Sequence, residues 1–191
     1  MLTATYSLVA IAAEQDKTRS ILGRLQQYIQ TTWKGLQGID FTFLETAFNK
    51  LLQLENYFHT RKIELYLIPA LRNASKEVDI LLAELDTLST NAEGFLRSVG
   101  DQLTATFDLG NIKINEICHA MEQYCDRLFI RLDKEEKELL PMARRLFSIE
   151  DWFSIAAQFL SDDAAAYERR RHPLSSSRTA SQQPAPMINV R

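Results

Sequence analysis

Apolar side chains early in the chain recur at alternating steps of three and four residues, which places them on one face of a helix. The stripe of this first segment consists of Leu8, Ile11, Gln15, Thr18, Leu22, Leu25 and Ile29, of which Gln15 and Thr18 are polar. Residues that interrupt helices are scarce, because the 191 residues include only 6 Gly and 5 Pro. The pattern therefore predicts long helices rather than a fold of many strands.

Three further segments show the same periodicity and predict the second, third and fourth helices. They cover about residues 40–73, 75–99 and 111–147. Asp40 suits an N-cap, while Pro69 and Pro141 are expected to kink the second and fourth helices. The third segment opens at Ser75 and is expected to end at Gly100, since glycine commonly follows a helix.

The chain after the fourth segment predicts one short helix and then a tail. Ser148 and Asp151 have the spacing of a capping box, and the short fifth helix that they open would turn Trp152 inward. The last part of the chain contains several Ser and Pro residues and cannot bury a core. We therefore expect an all-α, antiparallel up-down four-helix bundle in residues 1–163 and a basic, disordered tail in residues 164–191.

Charge is distributed unevenly along the chain. Residues 168–191 contain five Arg and one Glu, a charge of +4, so the remainder sums to −7 given the total of −3. An acidic body argues against nucleic acid as a partner. The run Arg169–Arg171 could attract anionic lipid or nucleic acid, but a solvated tail is the simpler interpretation.

The sequence predicts a cytoplasmic protein without a membrane span. No stretch reaches the roughly 20 apolar residues that a spanning helix requires. The apolar run at residues 8–13 is too short for a signal peptide and lacks its basic start. Cys118 and Cys125 are seven residues apart, about 10.5 Å along a helix, so they cannot form a disulfide within it. Free thiols in a reducing compartment are therefore expected.

Two stretches of the chain, in the second and fourth predicted helices, carry distinctive motifs. Residues 58–72 read Phe-His-Thr-Arg-Lys-Ile-Glu-Leu-Tyr-Leu-Ile-Pro-Ala-Leu-Arg. Residues 134–145 read Lys-Glu-Glu-Lys-Glu-Leu-Leu-Pro-Met-Ala-Arg-Arg and are followed by Ser-Ile-Glu-Asp-Trp at residues 148–152. These stretches resemble the second-helix and fourth-helix signatures of hemerythrin-like proteins, the HHE cation-binding domain family. The match covers roughly residues 5–160 and implies a bacterial-type, hemerythrin-like four-helix bundle.

The resemblance also implies a ligand set, which this chain has largely lost. Family members hold a non-haem di-iron site with about five His and two bridging carboxylates. Carried over position by position, only His59 and Glu135 keep a side chain that can bind iron. The other ligand positions hold Gln15, Thr60, Ile63, Ser89 and Arg131. Since the chain has three His in all, a five-His site within one chain is impossible.

The spacing of Arg131 and Glu135 suggests what replaced the metal. They lie four residues apart on an otherwise apolar stripe, where an unpaired charge would be costly. A guanidinium can neutralise a carboxylate and give it bidentate hydrogen bonds. We therefore expect Arg131 to substitute for the charge of the missing metal, with Gln15 and His59 supplying the remaining hydrogen bonds. The other histidines, His119 on a flank and His172 in the tail, are not expected to take part.

These observations favour a non-enzymatic binding or regulatory bundle without a cofactor. Its partner would be an unidentified protein or a second copy, with the fifth helix as one candidate surface. One alternative is an iron-binding protein with a carboxylate-rich or mononuclear site, acting in oxygen, nitric oxide or iron sensing or in repair of oxidative damage. That site would combine His59 and Glu135 with Glu64, which must turn inward from about 100° off the stripe, and Glu136 or His119 is a candidate further ligand. A second alternative is a histidine phosphotransfer module that uses His59, since Lys62 follows three residues later.

Overall fold

The computed structural model describes residues 2–34, 41–109 and 113–171, and within these ranges the fold is all-α without a strand. The predicted N-cap Asp40 and the tail from residue 172 onward lie outside the described residues. In chain order the α-helices are α1 (Leu2–Lys34), α2 (Phe41–His59), α3 (Ile68–Ala74), α4 (Asp79–Leu109), α5 (Ile114–Lys134), α6 (Leu140–Leu146) and α7 (Ile149–Arg171). No helix in the described part of the chain is long and apolar enough to cross a membrane.

The helices enclose two buried apolar clusters, one toward each end of the helical core. Helix α4 packs along α5, while α1 packs against α5, α7 and α2. The first core joins α1, α2, α4 and α5, and includes Leu22, Leu51, Leu96 and Leu128. The second core joins the starts of α1 and α4 with α3, α6 and α7, and includes Ile11, Leu71, Ala143 and Phe159. The polar residues of interest lie between these two cores.

Each of the two helix prolines follows a π-helical turn. These turns span Ile63–Leu67, before α3, and Glu135–Leu139, before α6. Proline lacks an N–H group, and its ring clashes with the carbonyl of the residue four positions earlier. The wider turn accommodates this, because the residue before each proline donates its N–H to the carbonyl five positions back. Pro69 and Pro141 thus produce the same local irregularity in the two predicted segments.

The prediction that the third helix ends at Gly100 is wrong, since α4 continues to Leu109. Gly100 has a packing role instead. A Cβ atom built at this position would lie 3.1 Å from Cζ of Phe48 on α2, closer than side chains normally approach. The missing side chain lets α2 approach α4, so this glycine marks a helix crossing rather than a helix end. Ser75 acts as predicted at the start of this segment, where its side chain accepts a hydrogen bond from the N–H of Glu77.

The fifth predicted helix is longer than expected. Ser148 and Asp151 form the reciprocal capping box: the N–H of Asp151 donates to Ser148 Oγ at 3.1 Å, and the N–H of Ser148 donates to Asp151 Oδ2 at 2.8 Å. Helix α7 then runs on to Arg171, past the boundary predicted after residue 163. Three consecutive alanines at residues 164–166 favour helix and explain why the tail does not begin there.

Candidate functional site

The buried polar site begins at a break in the second predicted helix. Helix α2 ends at His59, and Arg61 closes the break with a 3.4 Å hydrogen bond from its N–H to the carbonyl oxygen of Phe58. Its side chain also donates from Nε to that oxygen, at 3.2 Å. The guanidinium lies over the Phe58 ring, 3.5 Å from its centroid, and the side chain is fully buried. The break therefore directs a cation into the protein interior.

Glu135, the first residue of the second π turn, receives that cation. Arg61 binds it in bidentate fashion, with Nη1 2.8 Å from Oε2 and Nη2 2.7 Å from Oε1. Arg131 Nε donates to Oε1 at 3.0 Å, and Gln15 Nε2 donates to Oε2 at 2.6 Å. An ionised carboxylate has about four acceptor directions. The fully buried Glu135 carboxylate has all of them filled by protein donors.

Glu64 completes the set of charges. Its Oε1 accepts hydrogen bonds from Arg61 Nη2 at 2.8 Å and from Arg131 Nη2 at 2.6 Å. Two cations thus face two carboxylates, which leaves no net charge in the buried group. We call Gln15, Arg61, Glu64, Arg131 and Glu135 the ionic cluster. Its members come from α1, from both π turns, from the break after α2 and from α5.

The surroundings of the ionic cluster set its protonation. Burial opposes the charge on Glu135, but the charge and hydrogen bonds of Arg61 outweigh it and hold the pKa of this carboxyl below its ordinary value. Burial likewise opposes the charge on Arg61, while Glu135 and Glu64 raise the pKa of that guanidinium. Both shifts favour the charged forms. Arg61 and Glu135 are therefore paired ions rather than neutral groups.

The ionic cluster interrupts the apolar interior at one level. On α1, Ile11 belongs to the second core and Leu22 to the first, with Gln15 between them in sequence. The segment from α5 to the second π turn shows the same change. Leu132 belongs to the first core and Leu139 to the second, with the buried Glu135 between them in sequence. Polar residues on otherwise apolar helix stripes therefore mark a polar layer between two apolar ones.

The ionic cluster does not fit the di-iron site that the resemblance implies. Iron binding would need free lone pairs on carboxylates and on imidazole nitrogens. Four hydrogen bonds from protein donors occupy the oxygens of Glu135. The guanidinium groups of Arg61 and Arg131 fill the space beside this carboxylate that a metal ion would need. Arg61 and Arg131 already neutralise Glu64 and Glu135, so no net negative charge remains to attract a metal cation. The side chains of the ionic cluster are suited to forming ion pairs and hydrogen bonds with one another rather than to binding a metal.

The structure places the remaining predicted ligand positions outside the ionic cluster. His59 does not turn inward: its side chain is 54% exposed, and its Nε2 lies 2.9 Å from Glu55 Oε1. The expectation that His59 supplies a hydrogen bond to Glu135 is therefore wrong, because Arg61 supplies it. Thr60 is exposed, with its hydroxyl donating to the carbonyl oxygen of Tyr57 at 2.8 Å. The other positions are occupied by Ile63, which packs in the second core, and Ser89, half-buried on α4.

The sequence predicts no role for Arg61 in the cluster, and it places Glu64 about 100° off the apolar stripe. A helix that continued unbroken through residue 60 would direct both side chains away from Glu135. The break after His59 and the π turn that follows change the direction of these side chains. One signal was available: Arg131 alone cannot balance two carboxylates, and Arg61 lies three residues before Glu64.

Comparisons with models of protein families, with curated proteins and with solved structures found no match to this chain.

Proposed function

We propose that the chain is a hemerythrin-like four-helix bundle whose di-iron centre has been replaced by the ionic cluster, and that it acts without catalysis, by binding. The four helical segments of this bundle would be α1, α2 together with α3, then α4, and finally α5 together with α6. The observation that carries the proposal is the complete occupation of the Glu135 carboxylate by Arg61, Arg131 and Gln15. Both cations bring positive charge to the place where family members hold iron.

The ionic cluster would serve the bundle by fixing which helices meet and in what register. A buried ion network contributes little net stability, because desolvation offsets most of the attraction. Any other pairing of the helices would leave a buried charge without a partner, and that is costly. Arg61 binds the neighbouring Glu64 as well as Glu135, 74 residues away, and a different packing would cost it the bidentate partner. The cluster thus selects a single packing.

The binding surface favoured by the structure is an apolar stripe on α7. It consists of six exposed residues spaced by three or four: Ile149, Phe153, Ala157, Leu160, Ala164 and Tyr167. The large members are between 56% and 75% exposed, while another face of α7 packs Trp152 and Phe159 into the core. A continuous apolar stripe on a helix that is already packed on its other side is typical of an interface.

A second copy of the chain is the partner that fits this stripe. In an antiparallel pair, the first turn of one α7, with Glu150 and Asp151, lies opposite the last turn of the other, which ends at Arg171. Arg171 continues the stripe four residues after Tyr167. Opposite charges then meet at both ends of a twofold-symmetric pair, whereas a parallel pair would juxtapose like charges. Two alanines near the middle allow the helices to approach closely.

Sedimentation tests this interface. We expect the full chain to be a dimer, and Phe153→Glu and Leu160→Glu to make it a monomer with unchanged helix content. Ile80→Glu is the matched control, because Ile80 is 77% exposed on α4 and off the stripe. A wild-type monomer at high concentration, or a dimer that both α7 variants leave intact, would refute the homodimer. If the stripe binds a different protein instead, a complex with that protein would form with the wild type and be lost in Phe153→Glu.

Iron loading tests the metal-free centre. Protein purified from iron-supplemented cells is expected to lack the absorption bands of an oxo-bridged iron pair. Two irons per chain with such bands would overturn the proposal. The alternative of an iron site formed by His59, Glu64 and Glu135 needs these three side chains to converge. Glu64 and Glu135 share the ionic cluster, but His59 contacts Glu55 instead, and this favours the metal-free interpretation. A cytoplasmic location stays a prediction.

Phosphotransfer through His59 is the second alternative, and its surroundings do not support it. The side chain is exposed, as a phosphoacceptor must be. However, Glu55 Oε1 lies 2.9 Å and Glu93 Oε1 3.9 Å from its Nε2, and both carboxylates would repel a phosphoryl group. Lys62, the expected phosphate partner, binds Asp163 at 2.9 Å. Acid-labile phosphate on the wild type but not on His59→Ala, after incubation with a small phosphodonor, would revive this function.

A further inference from the structure

Three side chains with metal-binding atoms converge on the surface between α2 and α4, outside the ionic cluster. Glu55 and His59 lie one turn apart at the end of α2, and Glu93 faces them from α4. His59 Nε2 is 2.9 Å from Glu55 Oε1 and 3.9 Å from Glu93 Oε1. One ligand atom of each residue lies within 4.8 Å of the other two. We call these three residues the α2–α4 site.

A fourth residue orients the most enclosed member. Tyr124 on α5 is buried and donates from its hydroxyl to Glu55 Oε2 at 2.7 Å. Because Oε2 is held by Tyr124, the other oxygen of Glu55 faces His59. An outer partner that fixes a ligating carboxylate is a general feature of metal sites.

The spacing of these atoms resembles that of ligands around one ion. Two ligands about 2.1 Å from a metal, at angles of 90° to 110°, lie roughly 3.0–3.4 Å apart. From His59 Nε2, Glu55 Oε1 is 2.9 Å away, a hydrogen bond in this structure, and Glu93 Oε1 is 3.9 Å away, and these separations bracket the range. The 3.9 Å gap is too long for a hydrogen bond, so Glu93 is not already committed to His59. Small side-chain rotations would bring all three atoms to a common ion.

The electrostatic setting also favours a cation. Two carboxylates approach one imidazole at the last turn of α2, where the helix dipole is negative. The side chains of His59 and Glu93 are 54% and 43% exposed, so an ion can enter and water can complete its coordination. Glu55 is only 14% exposed, which strengthens its attraction for a cation.

We infer that the α2–α4 site binds a divalent first-row transition-metal ion such as Zn²⁺. The imidazole distinguishes this ion from Mg²⁺ and Ca²⁺, which prefer oxygen ligands alone. Bound metal links α2 to α4 through Glu55, His59 and Glu93. The inference goes beyond the proposed function and is independent of it, because no member of the ionic cluster takes part.

Calorimetric titration of the full chain with Zn²⁺ tests the inference. We expect one ion per chain with micromolar affinity, and a melting temperature about 5 °C higher at saturating metal. His59→Ala and Glu93→Gln should weaken binding about 100-fold and about tenfold, and Tyr124→Phe, which keeps every ligand, about tenfold. His119→Ala is the matched control and should bind as the wild type does, because this exposed histidine lies on α5, outside the site.

Each result decides for or against the site. Stoichiometric Zn²⁺ binding that His59→Ala weakens about 100-fold and His119→Ala leaves unchanged supports it. Absence of binding by the wild type at millimolar Zn²⁺ overturns it, and so does equal binding by the wild type and His59→Ala. Equally tight binding of Ca²⁺ would contradict the role of the imidazole. Since the ionic cluster is intact in all these variants, each outcome leaves the proposed replacement of the di-iron centre unaffected.

Discussion

Arg61 and Glu135 are 74 residues apart in sequence and share two hydrogen bonds, of 2.8 and 2.7 Å, with both side chains fully buried. This pair joins the break after α2 to the π turn before α6. Arg131, Glu64 and Gln15 surround it, so each charge has an opposite charge within hydrogen-bonding distance. Removing one member would leave another buried without compensation.

Loss of Arg61 should be strongly destabilising. Arg61→Met removes one of the two cations that face Glu135 and Glu64, and we expect the free energy of unfolding to fall by about 3–5 kcal/mol. Urea denaturation monitored by circular dichroism measures this. Arg72→Met is the control, because its 3.5 Å pair with Asp86 is exposed on both sides and should cost less than about 1 kcal/mol. Equal losses in the two variants would contradict a buried network.

Glu135 should make the free energy of unfolding depend on pH in the acidic range. Burial acts to raise its pKa, but Arg61 and its hydrogen bonds lower it on balance, below the value of the unfolded chain. A carboxyl with a depressed folded-state pKa contributes stability above its unfolded pKa of roughly 4.3, and this is lost as pH falls through the folded-state pKa. The stability difference between the wild type and Glu135→Gln should therefore shrink at acid pH. A difference that stays constant from pH 7 to pH 3 would contradict the paired carboxylate.

The two glycines of α4 should respond differently to alanine. A Cβ atom at Gly94 would meet no atom within 4 Å, so Gly94→Ala should stabilise by about 0.5–1 kcal/mol through helix propensity. At Gly100 the same Cβ would lie 3.1 Å from Phe48 Cζ, and the ring must shift to admit it. Gly100→Ala should therefore gain less or lose stability. Thermal melts of both variants check this, and an equal gain would contradict the close helix crossing.

The two cysteines should be inert while the protein is folded. Both are free and buried. Burial raises the pKa of Cys118 to about 11 and that of Cys125 to about 12, with smaller contributions from nearby carboxylates. Since the thiolate is the reactive form, alkylation at pH 8 should be slow in the native state and reach two labels per chain in denaturant. Rapid native labelling of Cys125 would mean that α5 opens locally.

Much of the helical framework could be predicted from the sequence because its signals are local. The apolar stripe of α1, the cap at Ser75 and the capping box from Ser148 to Asp151 each depend on residues within a turn or two of one another. The i, i+4 spacing of Arg131 and Glu135 is equally local, and the two are in contact at 3.0 Å. Patterns of this range need no knowledge of the tertiary structure.

The remaining features depend on contacts between distant segments. The local sequence predicts a helix end at Gly100. Its packing role depends on Phe48, which lies on a different helix. His59 lies on an apolar stripe only if the second helix continues, whereas the chain breaks after it. The same break directs Arg61 to Glu135. The helix breaks here because the folded structure buries Arg61 against Glu135, and that contact is not visible in the local sequence. Sequence periodicity could therefore locate the polar layer but not its central cation.

The π turns at Ile63–Leu67 and Glu135–Leu139 act as phase shifts in the two helical segments. Each advances the chain by about one residue relative to an α-helix, so the side chains beyond it rotate by about 100° around the axis. Glu64 of the first turn and Glu135 of the second both bind Arg61 and Arg131, so both segments change phase at the same level. One continuous apolar period cannot describe either segment. The side chains before each turn are in register with the first core, and those after it with the second.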